Sequence, residues 1–157
     1  MDVEAAVKNR IIKILATGGG AGLSPVAPGT AGTLVGVLIC LLCYPMPWAI
    51  RLLFVIAISV FSIYVAGQAE TLYGKTDDQR IVIDEIAGLQ VTMLPVAITG
   101  LHLCLAFVLF RIFDIWKPFP LDHFQKFPGG WGVVADDLGA GVYAGLILFL
   151  LTMAGVL

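Results

Sequence analysis

Long apolar runs almost free of charge constrain this chain more than any other feature. Between Ala31 and Gly67 the only charged residue is Arg51, and the run after Asp137 stays uncharged to the C-terminus. Of the 157 residues 59% are hydrophobic and 13% charged, where a soluble domain carries about 25% charged residues. Mean hydropathy is +0.98. These values predict an all-α integral membrane protein, one helical bundle over residues 1–157. A net charge of −2 with no basic run excludes nucleic acid as a partner. The stretch MDVEAAVKNRIIKILATGGG is too broken by charge for a signal peptide.

Taken in order, residues 1–16 form a short helix with Val3, Val7, Ile11, Ile14 and Leu15 on one face, suited to a membrane interface. Residues 17–34, TGGGAGLSPVAPGTAGTL, hold too many glycines and prolines for regular structure, and such a loop has backbone N–H groups with which to wrap an anion. It lacks the spacing of a nucleotide P-loop or a dinucleotide turn. Membrane segments follow at about 31–49 and 52–67, then a polar stretch at 70–80. A segment of about 18 residues begins at Ile81, and a further piece, 101–110, continues into FRIFDIWKPFP. A span needs roughly 20 residues, so 81–116 is either a complete or a shallow hairpin. Cys40, Cys43 and Cys104 sit among apolar residues with no His to complete a zinc site, and read as small buried hydrophobes.

A hairpin returns to its starting side in either case, so residues 1–30, 68–85 and 111–137 emerge together. Every acid, and every Lys and Arg except Arg51, then lies on one face, which the positive-inside bias makes cytoplasmic. Three loops therefore converge on one polar site.

Two acid pairs mark that site. Asp84 and Glu85 interrupt an apolar helix, and a carboxylate at the centre of a membrane helix costs about 2.5 to 3.5 kcal/mol on insertion scales. Asp136 and Asp137 head the last apolar run in the same manner. Together the pairs suit magnesium, a hard cation that takes carboxylates, keeps waters and accepts a phosphate oxygen. Arg111 and Lys117 are natural phosphate partners, one a planar fork and the other a point charge. Asp114 lies between them, all three recurring on one side of a short helix that Pro118 stops. Ser24, Thr30 and Thr33 add hydroxyls to the glycine-rich loop.

Covalent routes to phosphate transfer are poorly served. Cys104 and Arg111 are one residue too far apart for a thiol phosphatase loop. His102 falls at the far side, His123 stands alone as a surface residue, and no Asp-x-Asp pair is present. Metal-assisted hydrolysis remains. A divalent-cation carrier or channel is the competing class, but it would place acids along a path through the bilayer.

The blocks GLSPVAPGTAGTL, DDQRIVIDEIAG and FRIFDIWKPFP…GGWGVVADDLGAG resemble, in order and spacing, the phosphatidylglycerophosphatase A family of bacteria. The resemblance implies a magnesium-dependent, multi-pass inner-membrane enzyme, its site on the cytoplasmic side, that converts phosphatidylglycerophosphate to phosphatidylglycerol. The patterned residues are Ser24, Pro25, Pro28, Gly29 and Thr30, then Asp77, Asp84, Glu85 and Gly88. In the third block they are Arg111, Asp114, Lys117, Pro118, Gly129, Gly130, Asp136 and Asp137. Asp78 stands where the family often has proline, and Gln125 where some members have an acid. Combined with the residue reading, this assigns Asp84, Glu85, Asp136 and Asp137 to Mg2+, and Asp114 with these four to catalysis. Arg111, Lys117, Ser24 and Thr30 are assigned to the substrate phosphate.

Overall fold

The computed structural model describes residues 3–157, in which every regular element is helical. Seven α-helices follow in order: α1 Val3–Ala16, α2 Pro28–Leu42, α3 Trp48–Tyr73, α4 Ile83–Met93, α5 Gly100–Trp116, α6 Leu121–Phe124 and α7 Gly130–Met153. The expected first helix is therefore present, its first two residues lying outside the described ones.

Helices α2, α3, α4, α5 and α7 alternate in direction between two ends. At one end Gly29 of α2 lies beside Glu85 of α4 and Arg111 of α5. At the other, Arg51 of α3 reaches the carbonyls of Met93 and Val96, and His102 of α5 meets Thr152 of α7. Helix α4 is the axle of the bundle: only Glu85 and Val91 escape full burial. It packs on α2, α3, α5 and α7, and its contact with α7 is almost backbone to backbone. A Cβ on Gly141 of α7 would stand 2.4 Å from the carbonyl oxygen of Gly88, and one on Gly130 would stand 1.9 Å from that of Ile63 in α3. No side chain fits at either place.

Several expected boundaries move, each for a local reason. The segment from Ile81 is not an 18-residue helix. Pro95 has no N–H with which to continue the helical hydrogen-bond ladder, and α4 stops at Met93 after 11 residues, about 16 Å of rise. Arg51 then donates to the carbonyl of Met93 at the end of α4 and to that of Val96 beyond it, placing a cation where the helix dipole favours one. The first apolar helix ends at Leu42, ahead of Pro45, whereas α3 runs six residues beyond Gly67 and stops at Gly74, which has φ 64°. The polar stretch from Glu70 thus begins inside a helix. Asp136 and Asp137 do not head α7 but lie in its second turn, because Gly129 and Gly130 start that helix earlier.

The glycine-rich loop is also corrected. The N–H of Gly18 bonds to Leu15 O and that of Gly19 to Ile14 O, the paired bonds of a Schellman cap that closes α1, while the N–H groups of Gly20, Gly22 and Leu23 are taken up within residues 17–24. Those N–H groups are not free to wrap an anion. Among the cysteines, Cys40 and Cys43 are buried but Cys104 is exposed. In this bundle the outer face of a helix is as apolar as the inner one, so apolar neighbours in sequence do not imply burial.

Leu34 and Leu38 on α2, Leu53, Ile56 and Val60 on α3, Val108 on α5, and Val142 and Leu146 on α7 all point outward. Helices α3 and α7 are long and apolar enough to cross a membrane.

Candidate active site

The two conspicuous cavities of the protein differ in chemistry, and the larger is not the one that holds the acids. The acidic cavity, about 560 Å³, opens at the end where α2 and α4 begin and α5 finishes. Asp84 and Glu85 stand in the first turn of α4, and Asp137 reaches the same point from α7. Each offers an oxygen within 4.8 Å of those of the other two. At an effective dielectric near 20, charges at that separation repel by about 3.5 kcal/mol per pair. Burial first, and then Glu85 and Asp137, raise Asp84 well above the usual carboxylate range. Burial also raises Glu85, with Asp114 adding to the effect and Arg111 opposing it.

The cations are engaged. Arg111 Nη1 donates to Asp114 Oδ2 at 2.5 Å, one turn along α5, and lies 3.8 Å from Glu85 Oε1. Lys117 bonds to Asp136. It stands just outside α5, at φ 46°, rather than on the helix face where three-residue spacing would put it. Burial pulls its pKa down, but the bond to Asp136 and the charges of Asp137 and Asp114 outweigh that and raise it.

Four buried polar atoms nevertheless have no hydrogen-bond partner among the described residues: Glu85 Oε2, Arg111 Nε, Asp136 Oδ1 and Asp137 Oδ2. Such atoms cost about 1 to 3 kcal/mol each when left unmade. Three of the four are carboxylate oxygens around one space, the donor chemistry that a hard divalent cation satisfies.

All five acids expected in the site and both expected cations line this cavity. The set closest together is Asp84, Glu85 and Asp137, whereas Asp136 stands with Lys117. Ser24 and Thr30 do not line it. Ser24 Oγ donates to Val26 O, and the chain reaches the cavity instead through Pro25 and Ala27 of the loop and Pro28 and Gly29 at the start of α2. Three polar lining residues are assigned neither to metal, catalysis nor phosphate in the sequence reading: Lys75, Gln79 and Asp77, the last named there only as a patterned residue, all in the loop between α3 and α4. Asp77 is fixed there by its N–H, which donates to Glu70 Oε1 at 2.9 Å. His123 is exposed and paired with Asp122, and His102 is buried between Thr99 and Thr152, so neither histidine enters the site.

Residues 14–152, nearly the whole chain, match the sequence profile described as phosphatidylglycerophosphatase A. The chain belongs to the phosphatidylglycerophosphatase A family. It is 36% identical over 138 residues to phosphatidylglycerophosphatase A of Escherichia coli (strain K12), covering 87% of this chain and 80% of that relative. A phosphatidylglycerophosphatase A of Haemophilus influenzae is 35% identical, over 88% of this chain and 86% of its own. A relative from Bacteroides thetaiotaomicron, provisionally named phosphatidylinositol-3-phosphatase, is 36% identical over 86% of this chain and 89% of its own. No solved structure matches the chain. The matched range, residues 14–152, spans every carboxylate and cation of the acidic cavity.

Proposed function

We propose that the protein is a magnesium-dependent lipid phosphomonoesterase that hydrolyses phosphatidylglycerophosphate to phosphatidylglycerol and phosphate. The observation that carries this reading is the cluster of Asp84, Glu85 and Asp137, with oxygens within 4.8 Å of one another, in a cavity that also presents Arg111 and Lys117. Six carboxylates line that cavity against three cations. A phosphate approaching it as it stands meets an excess of its own charge. A divalent cation held by Asp84, Glu85 and Asp137 would cut that excess from three negative charges to one, and when bound it would supply Lewis-acid polarisation of the phosphoryl group and a more acidic water.

The chain's own residues supply the rest. Arg111 and Lys117 neutralise charge on the phosphoryl oxygens, where stabilisation is mainly electrostatic. Asp114 holds the Arg111 guanidinium in place, and Asp136 does the same for the Lys117 ammonium. In the reaction water adds to phosphorus, the bond from phosphorus to the glycerol oxygen breaks, and a proton passes to that oxygen. Asp114, at the cavity wall and near Asp137, is placed to carry it.

Bundle and site together favour the cytoplasmic membrane, with the cavity at headgroup level. The apolar outer face supports this, since exposed apolar patches of that extent mark membrane or protein contact. A cation carrier is less well supported: the far end offers Arg51 and His102, and both are already committed to hydrogen bonds inside the protein.

The test is phosphate release by the metal-stripped protein in zwitterionic micelles, with magnesium and with chelator. Phosphatidylglycerophosphate and phosphatidylinositol 3-phosphate are compared as substrates. Release from phosphatidylglycerophosphate only when magnesium is restored is expected. Full activity in chelator, with the metal verified absent, would refute the metal role, and preference for the inositol lipid would refute the substrate.

A further inference from the structure

The second cavity, about 710 Å³, lies between α1 and the C-terminal end of α3 and contains none of the acids just described. Arg10 and Lys13 line it from α1 and Arg80 from the loop after α3, with the Tyr73 ring as its floor. The Arg80 guanidinium stacks 3.9 Å from the centre of that ring, and Lys13 Nζ lies 5.8 Å from it. Asp78 offsets Arg80 through a paired contact, Nε to Oδ1 at 2.7 Å and Nη2 to Oδ2 at 3.0 Å. Arg10 and Lys13 have no acid within 4.0 Å among the described residues. Two uncompensated cations therefore face a cavity whose wall also holds the apolar Ala6, Ile14 and Leu23, beside the neutral polar Asn9 and Thr17.

The helix that carries these cations is amphipathic in a particular sense. Ile12 and Ala16 are buried against the bundle, while Val3, Val7, Ile11 and Ile14 are at least half exposed and form a stripe adjoining the basic face. A groove that is cationic within and apolar along one lip matches a molecule that is anionic at one end and apolar at the other. A free anion would leave the lip unused, and a neutral lipid would leave Arg10 and Lys13 uncompensated.

We propose that this groove binds the phosphate-bearing headgroup of an anionic membrane phospholipid, at a site separate from the acidic cavity and not involved in hydrolysis. The headgroup phosphate lies between Arg10, Lys13 and Arg80, the glycerol region lies against Tyr73, and the chains leave along Ile14 and Leu23 beside the apolar stripe of α1. The two cavities share the 74–82 loop. Arg80 faces the groove while Asp77 and Gln79 face the acidic cavity, so occupation of one steadies a wall of the other. This inference does not depend on the lipid that is hydrolysed.

The test uses the full chain in zwitterionic micelles with 13C-labelled tyrosine. The Tyr73 ring signal, assigned with Tyr73→Phe, is followed during titration with dihexanoyl phosphatidylglycerol, dihexanoyl phosphatidylcholine or inorganic phosphate. The expected result is a saturable shift with phosphatidylglycerol alone. Lys13→Gln with Arg10→Gln should weaken that binding about thirtyfold, taking about 1 kcal/mol for each basic residue at an anionic lipid surface. Circular dichroism and basal phosphate release of the double variant should stay as in the wild type, and Lys117→Met should leave the Tyr73 titration unchanged. An equal shift with phosphatidylcholine, an equal response to inorganic phosphate, or wild-type affinity in the folded double variant would each overturn the proposal. If no lipid phosphate is hydrolysed but Tyr73 still responds, the functional reading fails and this one stands.

Discussion

Asp84→Asn should make the metal-free protein more stable and the magnesium-loaded protein less so. The substitution keeps the size of a buried side chain while removing one of three clustered charges. Its oxygens lie within 4.8 Å of those of Glu85 and Asp137, so two repulsions of about 3.5 kcal/mol each disappear. The wild-type protein limits this strain by holding a proton. Burial first and then Glu85 raise Asp84 well above the usual carboxylate range, and the unfolded chain loses that proton near pH 3.9. Because the folded pKa is the higher one, there is no cost below the unfolded value, and the cost grows with pH until the folded pKa is reached. In chelator the advantage of Asn over the wild type should therefore be small near pH 4 and should widen as the pH rises towards the folded pKa of Asp84. Saturating magnesium should invert the order if, as proposed, the wild type holds the ion with all three carboxylates. Activity should fall roughly 100-fold and recover in part with excess magnesium. Thermal unfolding in micelles, with chelator and with magnesium at pH 5, 6 and 7, reads the crossover. If the wild type is the more stable protein in chelator at every pH, or if magnesium stabilises both proteins equally, the cluster is not a repulsive cation site.

Lys117→Met should abolish most activity without rescue by magnesium, because the lost partner is the phosphoryl oxygen; a magnesium titration that restores it would reverse the assigned roles. Arg51→Met should cost about 1 to 2 kcal/mol by uncapping the end of α4, measured as a lower unfolding temperature, with magnesium affinity unchanged. Single cysteines at Val26, Thr76 and Gln125, in a background lacking the native three, should all label from the cytoplasmic side and one at Ile50 from the opposite side. Opposite labelling of Thr76 and Gln125 would break the convergence of the loops.

Much of this site is legible in the sequence because charge in an apolar chain is costly wherever it occurs. Asp84, Glu85, Arg111, Asp114, Lys117, Asp136 and Asp137 stand out for that reason, and all seven line one cavity. Lys75 and Gln79 do not stand out. They sit in a polar loop, where charge costs nothing, and the expected convergence of that loop on the site does not say which of its residues reach the acids. The glycine-rich segment misleads for a different reason: an anion cradle and a Schellman cap both call for residues at positive φ, so composition does not separate them. Helix lengths follow local punctuation more closely than apolar content, as the early stop of α4 before Pro95 and the late stop of α3 at Gly74 illustrate.

The seating of Gly141 against the Gly88 carbonyl acts as a vernier between α4 and α7. Asp84 and Glu85 ride on one helix and Asp137 on the other, so their height difference is set by that contact. A slip of one helical turn displaces α7 by about 5.4 Å, more than the whole spread of the three ligand oxygens, and no neighbouring register rebuilds the cluster. The three-carboxylate cluster thus exists in one arrangement of the two helices and in none close to it. A chain whose last helix has yet to dock owns two of the three carboxylates, and its phosphatase activity begins only when assembly of the bundle is complete.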